Sequence, residues 1–272
     1  MVVESPRWLV DKGKNEMALK ALRKLRGPKS EIDKEIKEIE KISTEEAHIQ
    51  VLPLSSFFKD RKLWWPLFIV VNIHLLNELS GISAVSIYAT MVLNESSSNI
   101  DTASLANLGI SFTMFIGNLF CYLTVERLGR RLVLLLSTIA MALTLIFLVI
   151  VLKAGYTAAA IAGFVAFLFF FTSGPGPIPW FMPPEMFNQA SRPTALAVGM
   201  FVNWIANISV SFLFPILQFH IGYYSFLPFA SVAIVEFIFL LFFLPETSVS
   251  LANYSMEIFE SGKSLIQLGK KL

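Results

Sequence analysis

Residues 154–184 read AGYTAAAIAGFVAFLFFFTSGPGPIPWFMPP and contain no Asp, Glu, Lys or Arg. A helix crosses the hydrocarbon core of a bilayer with about 20 apolar residues, so the stretch is long enough to span. Its second half resists a regular helix: Gly174-Pro175-Gly176-Pro177-Ile178-Pro179 puts three prolines and two glycines in six positions. Proline removes a backbone donor and clashes with the preceding turn. Freed backbone groups at membrane depth are tolerated only against protein or beside a water-filled cavity. The stretch therefore predicts a membrane crossing that is broken where it meets a cavity, with a packing kink as the alternative.

Similar apolar stretches lie on both sides. Residues 63–93 carry one charge, Glu78; 103–125, 132–152 and 193–219 carry none; 221–244 carry one, Glu236. The expectation is an all-α membrane protein: a six-helix bundle over 63–247, with spans at about 63–93, 103–125, 132–152, 156–184, 193–219 and 222–244. Only His220 and a Gly222-Tyr-Tyr bend separate the last two. Composition agrees, at 55% hydrophobic and 15% charged residues, 25 Phe and a mean hydropathy of +0.64. Soluble domains average about 25% charged residues.

Charge placement gives an orientation. Fourteen of the 22 Lys and Arg precede residue 63. With the amino terminus in the cytosol, every Lys and Arg except Lys153 falls on the cytosolic side, a strong positive-inside bias. Both termini are then cytosolic, in an integral membrane protein whose expected location is the plasma membrane. The basic block reads as a cytosolic face, not a nucleic-acid site. Residues 1–62 predict a cytosolic helical segment. Ala18, Leu22 and Leu25 share one helical face, Gly27-Pro28 stops that helix, and Ser30-Glu-Ile-Asp33 has the form of a capping box. Ile32, Ile36, Ile39 and Ile42 then line a second helix, and residues 248–272 form a cytosolic tail. Met1 to Arg7 lack the apolar core of a secretory leader. Trp64 and Trp65 suit an interfacial aromatic belt. Asn94-Glu-Ser96 is a glycosylation sequon on the outer side. Cys121 is the single cysteine, so no intrachain disulfide forms.

Several spans carry polar groups that an inert anchor avoids. Asn77 and Glu78 are adjacent, about 100° apart on a helix, and Ser83 follows beyond Gly81. An intramembrane carboxylate is costly and marks a functional site by default. Asn203 and Asn207 lie four apart on one face, with Trp204 beside them. Carboxamides donate and accept hydrogen bonds, which suits a hydroxyl-rich ligand, and an indole covers the apolar face of a pyranose ring. Interhelical hydrogen bonding at about 1 kcal/mol per contact is the alternative. His48, His74 and His220 are scattered, without nucleophile–base or metal spacing, which argues against an enzyme or a metal site. No cofactor is expected.

Four motifs in order resemble one family. Glu4-Ser-Pro-Arg-Trp-Leu9 resembles the segment after the sixth helix of sugar porters of the major facilitator superfamily. Val125-Glu-Arg-Leu-Gly-Arg-Arg131 resembles the turn between their eighth and ninth helices. Gly174-Pro-Gly-Pro-Ile-Pro-Trp-Phe181 resembles the tenth helix of facilitative glucose transporters, and Pro245-Glu-Thr247 the mark after their twelfth. The resemblance implies the carboxy-terminal half of such a transporter, which would pair with an amino-terminal six-helix half and bind a monosaccharide in the cavity between halves, within membrane lipid. It implies a sugar site at Asn77, Glu78, Ser83, Trp180, Asn203, Trp204 and Asn207. Gating falls to Tyr88 and to Gly174, Pro175, Gly176, Pro177 and Pro179. A cytosolic latch is implied at Glu4, Arg7, Glu126, Arg127, Arg130, Arg131, Glu185, Arg192 and Glu246.

The chain departs from the glucose-transporter pattern at several positions. Asn77-Glu78 stands where those transporters have two glutamines, Ser83 where they have asparagine, and His74-Leu75-Leu76 in place of a glutamine-leucine-serine mark. Met114 and Thr172 replace an asparagine and a glutamate, and Ser248-Val249 follow Thr247 in place of lysine and glycine. Facilitative hexose transport is the leading expectation. Proton-coupled sugar transport through Glu78 and a non-transporting truncated form are the alternatives, the last because Met1 falls inside the first motif.

Overall fold

The computed structural model describes residues 4–26, 32–46, 51–96 and 100–244. The Gly27-Pro28 stop, the Ser30 cap, the Ile42 side chain, Glu246 and the tail from Pro245 lie outside the described residues. The chain divides into two compact units, Met1–Val51 and Leu52–Leu272.

The first unit holds α1 (Pro6–Asp11), α2 (Asn15–Arg26) and α3 (Ile32–Glu46). Leu9, Ala18, Ala21, Leu22, Ile32 and Ile36 form its core, with Ile39 packed against it. Leu25, one turn beyond Leu22, is exposed at the end of α2. Arg26 meets Glu35 at 3.0 Å on the surface, a pair worth about 0–1 kcal/mol. The core side chains therefore hold this small unit together.

The second unit opens with α4 (Leu54–Lys59), whose Phe57 is buried against Phe187 and Ala195. Two hydrogen bonds fasten this segment: Leu52 N donates to Ala190 O at 2.9 Å, and Thr194 Oγ1 donates to Leu52 O at 2.6 Å. Asp60 caps α5 (Arg61–Leu79) by accepting from Lys62 N. The helix stops at Ser80-Gly81 and restarts as α6 (Ile82–Ser96). Gly81 sits at φ +87°, where a side chain would be strained and would also meet the Phe229 ring. Then come α7 (Ile100–Leu128), α8 (Arg130–Ala154), α9 (Thr157–Ser173), α10 (Ile178–Met186) and α11 (Arg192–Ile221). A 3₁₀ turn over Gly222–Phe226 leads into α12 (Leu227–Phe243).

Among the described residues, five stretches are long and apolar enough to cross a membrane: Arg61–Val92, Leu108–Leu128, Arg130–Ala154, Thr157–Met186 and Arg192–Phe243. The last spans 52 residues, more than twice what one crossing requires, and turns at Gly222, where φ is +55°. The sequon residue Asn94 falls in the last turn of α6. Its side chain lies outside the described contacts.

Packing follows the rules of a nonpolar solvent. Helix faces come together at small residues, and α8 meets α9 where Gly163 leaves room for Leu148. Outward faces stay apolar, with Phe212 75% and Phe219 87% exposed. Aromatic rings fill the core between α6, α9, α11 and the 3₁₀ turn. Tyr88 stands edge-on to Phe226 at 5.4 Å and Phe214 at 6.4 Å, with Phe164 alongside at 5.9 Å.

Candidate substrate cleft beside a broken helix

The helix break falls at the proline-glycine cluster. Helix α9 ends at Ser173, residues 174–177 form turns, and α10 begins at Ile178. The turn keeps backbone bonds that include Gly176 N to Phe171 O at 2.8 Å and Ile178 N to Gly174 O at 3.1 Å. Gly174 packs so tightly on α8 that a Cβ there would lie 2.7 Å from Ser137 Oγ. Carbonyls left over by the break find a partner on α5. Asn77 Nδ2 donates to Pro175 O at 2.8 Å and to Gly176 O at 3.2 Å. Asn77 Oδ1 in turn accepts from Asn203 Nδ2 at 3.0 Å, and the same Asn203 amide reaches His74 O at 3.3 Å. Asn77 and Asn203 thereby tie α5, α11 and the break together.

Beside this strut lies an open cleft of about 540 Å³. Glu78, Ser83, Asn207 and Trp180 line it together with Asn77, Gly176 and Pro177. Asn207 Nδ2 donates to Glu78 Oε2 at 2.9 Å and to Ser83 Oγ at 3.1 Å. Three elements, α5, α6 and α11, thus converge on one polar cluster. Among the described residues lining the cleft none is cationic. Trp180 is 38% exposed and leaves an indole face beside the cluster, an arrangement suited to a ligand with hydroxyls on its edge and a nonpolar face. Behind Trp180, His74 is fully buried and meets the indole edge-on at 5.3 Å. Neither ring nitrogen of His74 has a hydrogen-bond partner among the described residues.

The structure divides the expected site residues. Asn77, Glu78, Ser83, Trp180 and Asn207 line one cleft, as do Gly176 and Pro177 of the expected gate. Asn203 is 2% exposed and serves the strut behind the cleft, while Trp204 is 60% exposed and outside the lining. Tyr88 belongs to the aromatic cluster already described. The polar residue that sequence reading missed is Asn118 of α7, which lines the same cleft with Met114, Phe171 and Thr172. Its spacing of four from Met114, on one helical face, is the signal that points to it. Glu236 of α12 is 8% exposed, and its Oε2 has no partner among the described residues.

At the other end of these helices the charged motif is partly assembled. Gly129, at φ +83°, turns α7 into α8. Arg130 then meets Glu185 of α10 through Nη2 at 2.8 Å and Nε at 3.2 Å, with both side chains largely buried. Arg131 Nη2 donates to Leu241 O at 2.8 Å, and Arg192 Nη2 to Phe187 O at 3.4 Å. Glu126 and Arg127 are exposed at the end of α7. Glu4 and Arg7 belong to the first unit, where Glu4 is exposed ahead of α1 and Arg7 lies within it.

Against this geometry, the family model "Sugar (and other) transporter" matches residues 1–255. The chain belongs to that sugar transporter family. It is 35% identical over 250 residues to solute carrier family 2, facilitated glucose transporter member 2, of Rattus norvegicus, covering 90% of this chain and 47% of that protein. It is 32% identical over 282 residues to a facilitated trehalose transporter of Culex quinquefasciatus, covering 100% of this chain and 52% of that one. Among solved structures it is similar to the inward open conformation of the xylose transporter XylE from E. coli. The TM-score is 0.74 at 24% identity, over 96% of this chain and 52% of that chain. A XylE complex with 6-bromo-6-deoxy-D-glucose gives 0.68 at 24% identity, over 91% and 52%. The chain spans about half the length of the curated relatives it matches. It has the fold of those solved transporters and is a membrane protein, with helices long and apolar enough to cross a bilayer.

Proposed function

We propose that the chain supplies one wall of a hexose path and takes part in facilitated, alternating-access transport as part of a longer transporter. The observation that carries this reading is the Glu78–Asn207–Ser83 cluster beside Trp180. It offers hydrogen bonding and an apolar ring face at the break in the helix, as a pyranose requires. The relatives are named as facilitated glucose and trehalose transporters, which supports a sugar. Six crossings follow if Gly222 divides the 52-residue stretch, with both termini in the cytosol of a cell whose plasma membrane holds the protein. An amino-terminal six-helix half supplies the facing wall, because substrate sites in such folds lie between repeats. The Arg130–Glu185 pair, with Arg131 and Arg192, closes the cytosolic end and breaks when that end opens.

The test is labelled hexose uptake in cells lacking their own hexose carriers, with the gene product that carries this chain. Saturable uptake of D-glucose over L-glucose supports the reading. Its absence, with the protein present at the surface, sinks it. The 272-residue chain alone in liposomes is expected to show no saturable uptake, as a non-transporting truncated form would.

Glu78 in the cleft motivates a second reading, proton-coupled sugar transport. Counterflow that persists without a pH gradient argues against it.

A further inference from the structure

The polar cluster on α5, α6 and α11 faces a wall made mostly of Met114, Phe171 and Thr172. That wall holds few groups able to read a ligand. The Thr172 hydroxyl is already committed, donating to Leu168 O at 2.8 Å and Phe169 O at 3.2 Å. Asn118 differs. Its Nδ2 donates back to Met114 O, one turn earlier on its own helix, at 2.9 Å. This bond restrains the carboxamide and uses one of the two N–H donors of Nδ2. The acceptor end, Oδ1, has no partner among the described residues, although the side chain is exposed and lines the cleft. An exposed amide that only served helix packing would face a neighbouring helix. This one is exposed and lines the same cleft as Glu78 and Asn207.

We infer that Asn118 is a specificity-determining residue of the cleft, whose Oδ1 accepts a hydrogen bond from one hydroxyl of a sugar held between α7 and the Glu78–Asn207 cluster. The inference rests on the proposed sugar-binding reading and adds a second, facing contact to it. An acceptor here selects a ligand that keeps its O–H donor at the matching position. It disfavours one in which that oxygen is removed, methylated or replaced by fluorine. Turning the amide over would give up the Met114 bond, so Oδ1 stays the end that is free to accept.

The experiment is equilibrium binding of labelled hexose to the purified gene product carrying this chain, in lipid nanodiscs. Competition uses a set of monodeoxy and monofluoro hexoses, each altered at one position. The wild-type protein and Asn118→Leu, which keeps size and removes the acceptor, are compared, with Asn118→Asp as a variant that keeps it. One altered position is expected to weaken binding to wild type about fivefold, deoxy and fluoro alike, the value of one hydrogen bond. Asn118→Leu is expected to lose about the same factor for the parent hexose and to become indifferent at that single position, while Asn118→Asp retains the discrimination. An unchanged pattern in a folded Asn118→Leu protein overturns the role of Asn118 and leaves the cluster opposite intact. Failure of wild type to bind any hexose overturns the sugar reading as well.

Discussion

The carboxamide of Asn77 donates to the carbonyl oxygen of Pro175 at 2.8 Å, across 98 residues of chain. This bond and its neighbour to Gly176 O satisfy backbone groups that the proline-glycine cluster strips from the helix. In a nonpolar medium such groups are costly when left bare. Asn77→Ala is therefore expected to destabilise the bundle by about 1–3 kcal/mol, read as a lowered Tm in detergent. Asn203→Ala removes the next bond outward and costs less, about 1 kcal/mol. The double variant falls short of the sum, because the two amides share one network. Strict additivity would show that the strut is not a unit.

The notch at Gly199 makes a second, independent test. A Cβ there would lie 2.6 Å from His74 Cδ2 and 2.7 Å from Nε2, with Val70 on the other side. Gly199→Ala should push the imidazole against Trp180 and cost about 1–3 kcal/mol as overpacking. Combining it with His74→Ala should recover most of that loss. A Tm for the double variant no higher than for Gly199→Ala alone would place the strain elsewhere.

At the charged end, Arg130 donates through both Nη2 and Nε to one oxygen, Oε1, of Glu185. Glu185→Ala leaves a largely buried guanidinium without this carboxylate and should cost about 1.5–3 kcal/mol. The loss should persist at high salt, because largely buried pairs are poorly screened. Exchange of the two residues, Arg130→Glu with Glu185→Arg, should restore part of it. Loss of the effect in 1 M salt would indicate a surface pair.

Glu78 accepts from Asn207 through one oxygen, and a glutamine carbonyl can accept the same bond. Under facilitated transport Glu78→Gln should keep the cluster and retain net hexose uptake within about tenfold of wild type, one hydrogen bond's worth. Under proton coupling it should abolish uptake driven by a pH gradient while sparing exchange. Paired uptake and exchange assays on this variant decide between them.

Much of the architecture was legible in the chain itself. Apolar runs, the skew of Lys and Arg toward the amino-terminal end and the break at residues 174–179 are local properties. A bilayer acts on them segment by segment, and proline breaks a helix whatever surrounds it. The roles of the polar residues were not legible. Asn77 and Glu78 are neighbours in sequence, yet one braces the break and the other faces the cleft. Asn203 and Asn207 share a helical face by spacing, yet only Asn207 lines the cleft. Asn118 was hidden in an apolar run, and Trp204 projects outside the lining. Their partners lie on other helices, 98 to 129 residues away for the bonds of Asn77, Asn203 and Asn207. The sequence by itself determined where helices form, where one breaks and which end carries charge. Only the tertiary structure decided which amide supports the backbone and which is left to meet a ligand, because that depends on which carbonyl or carboxylate a distant helix brings within 3 Å.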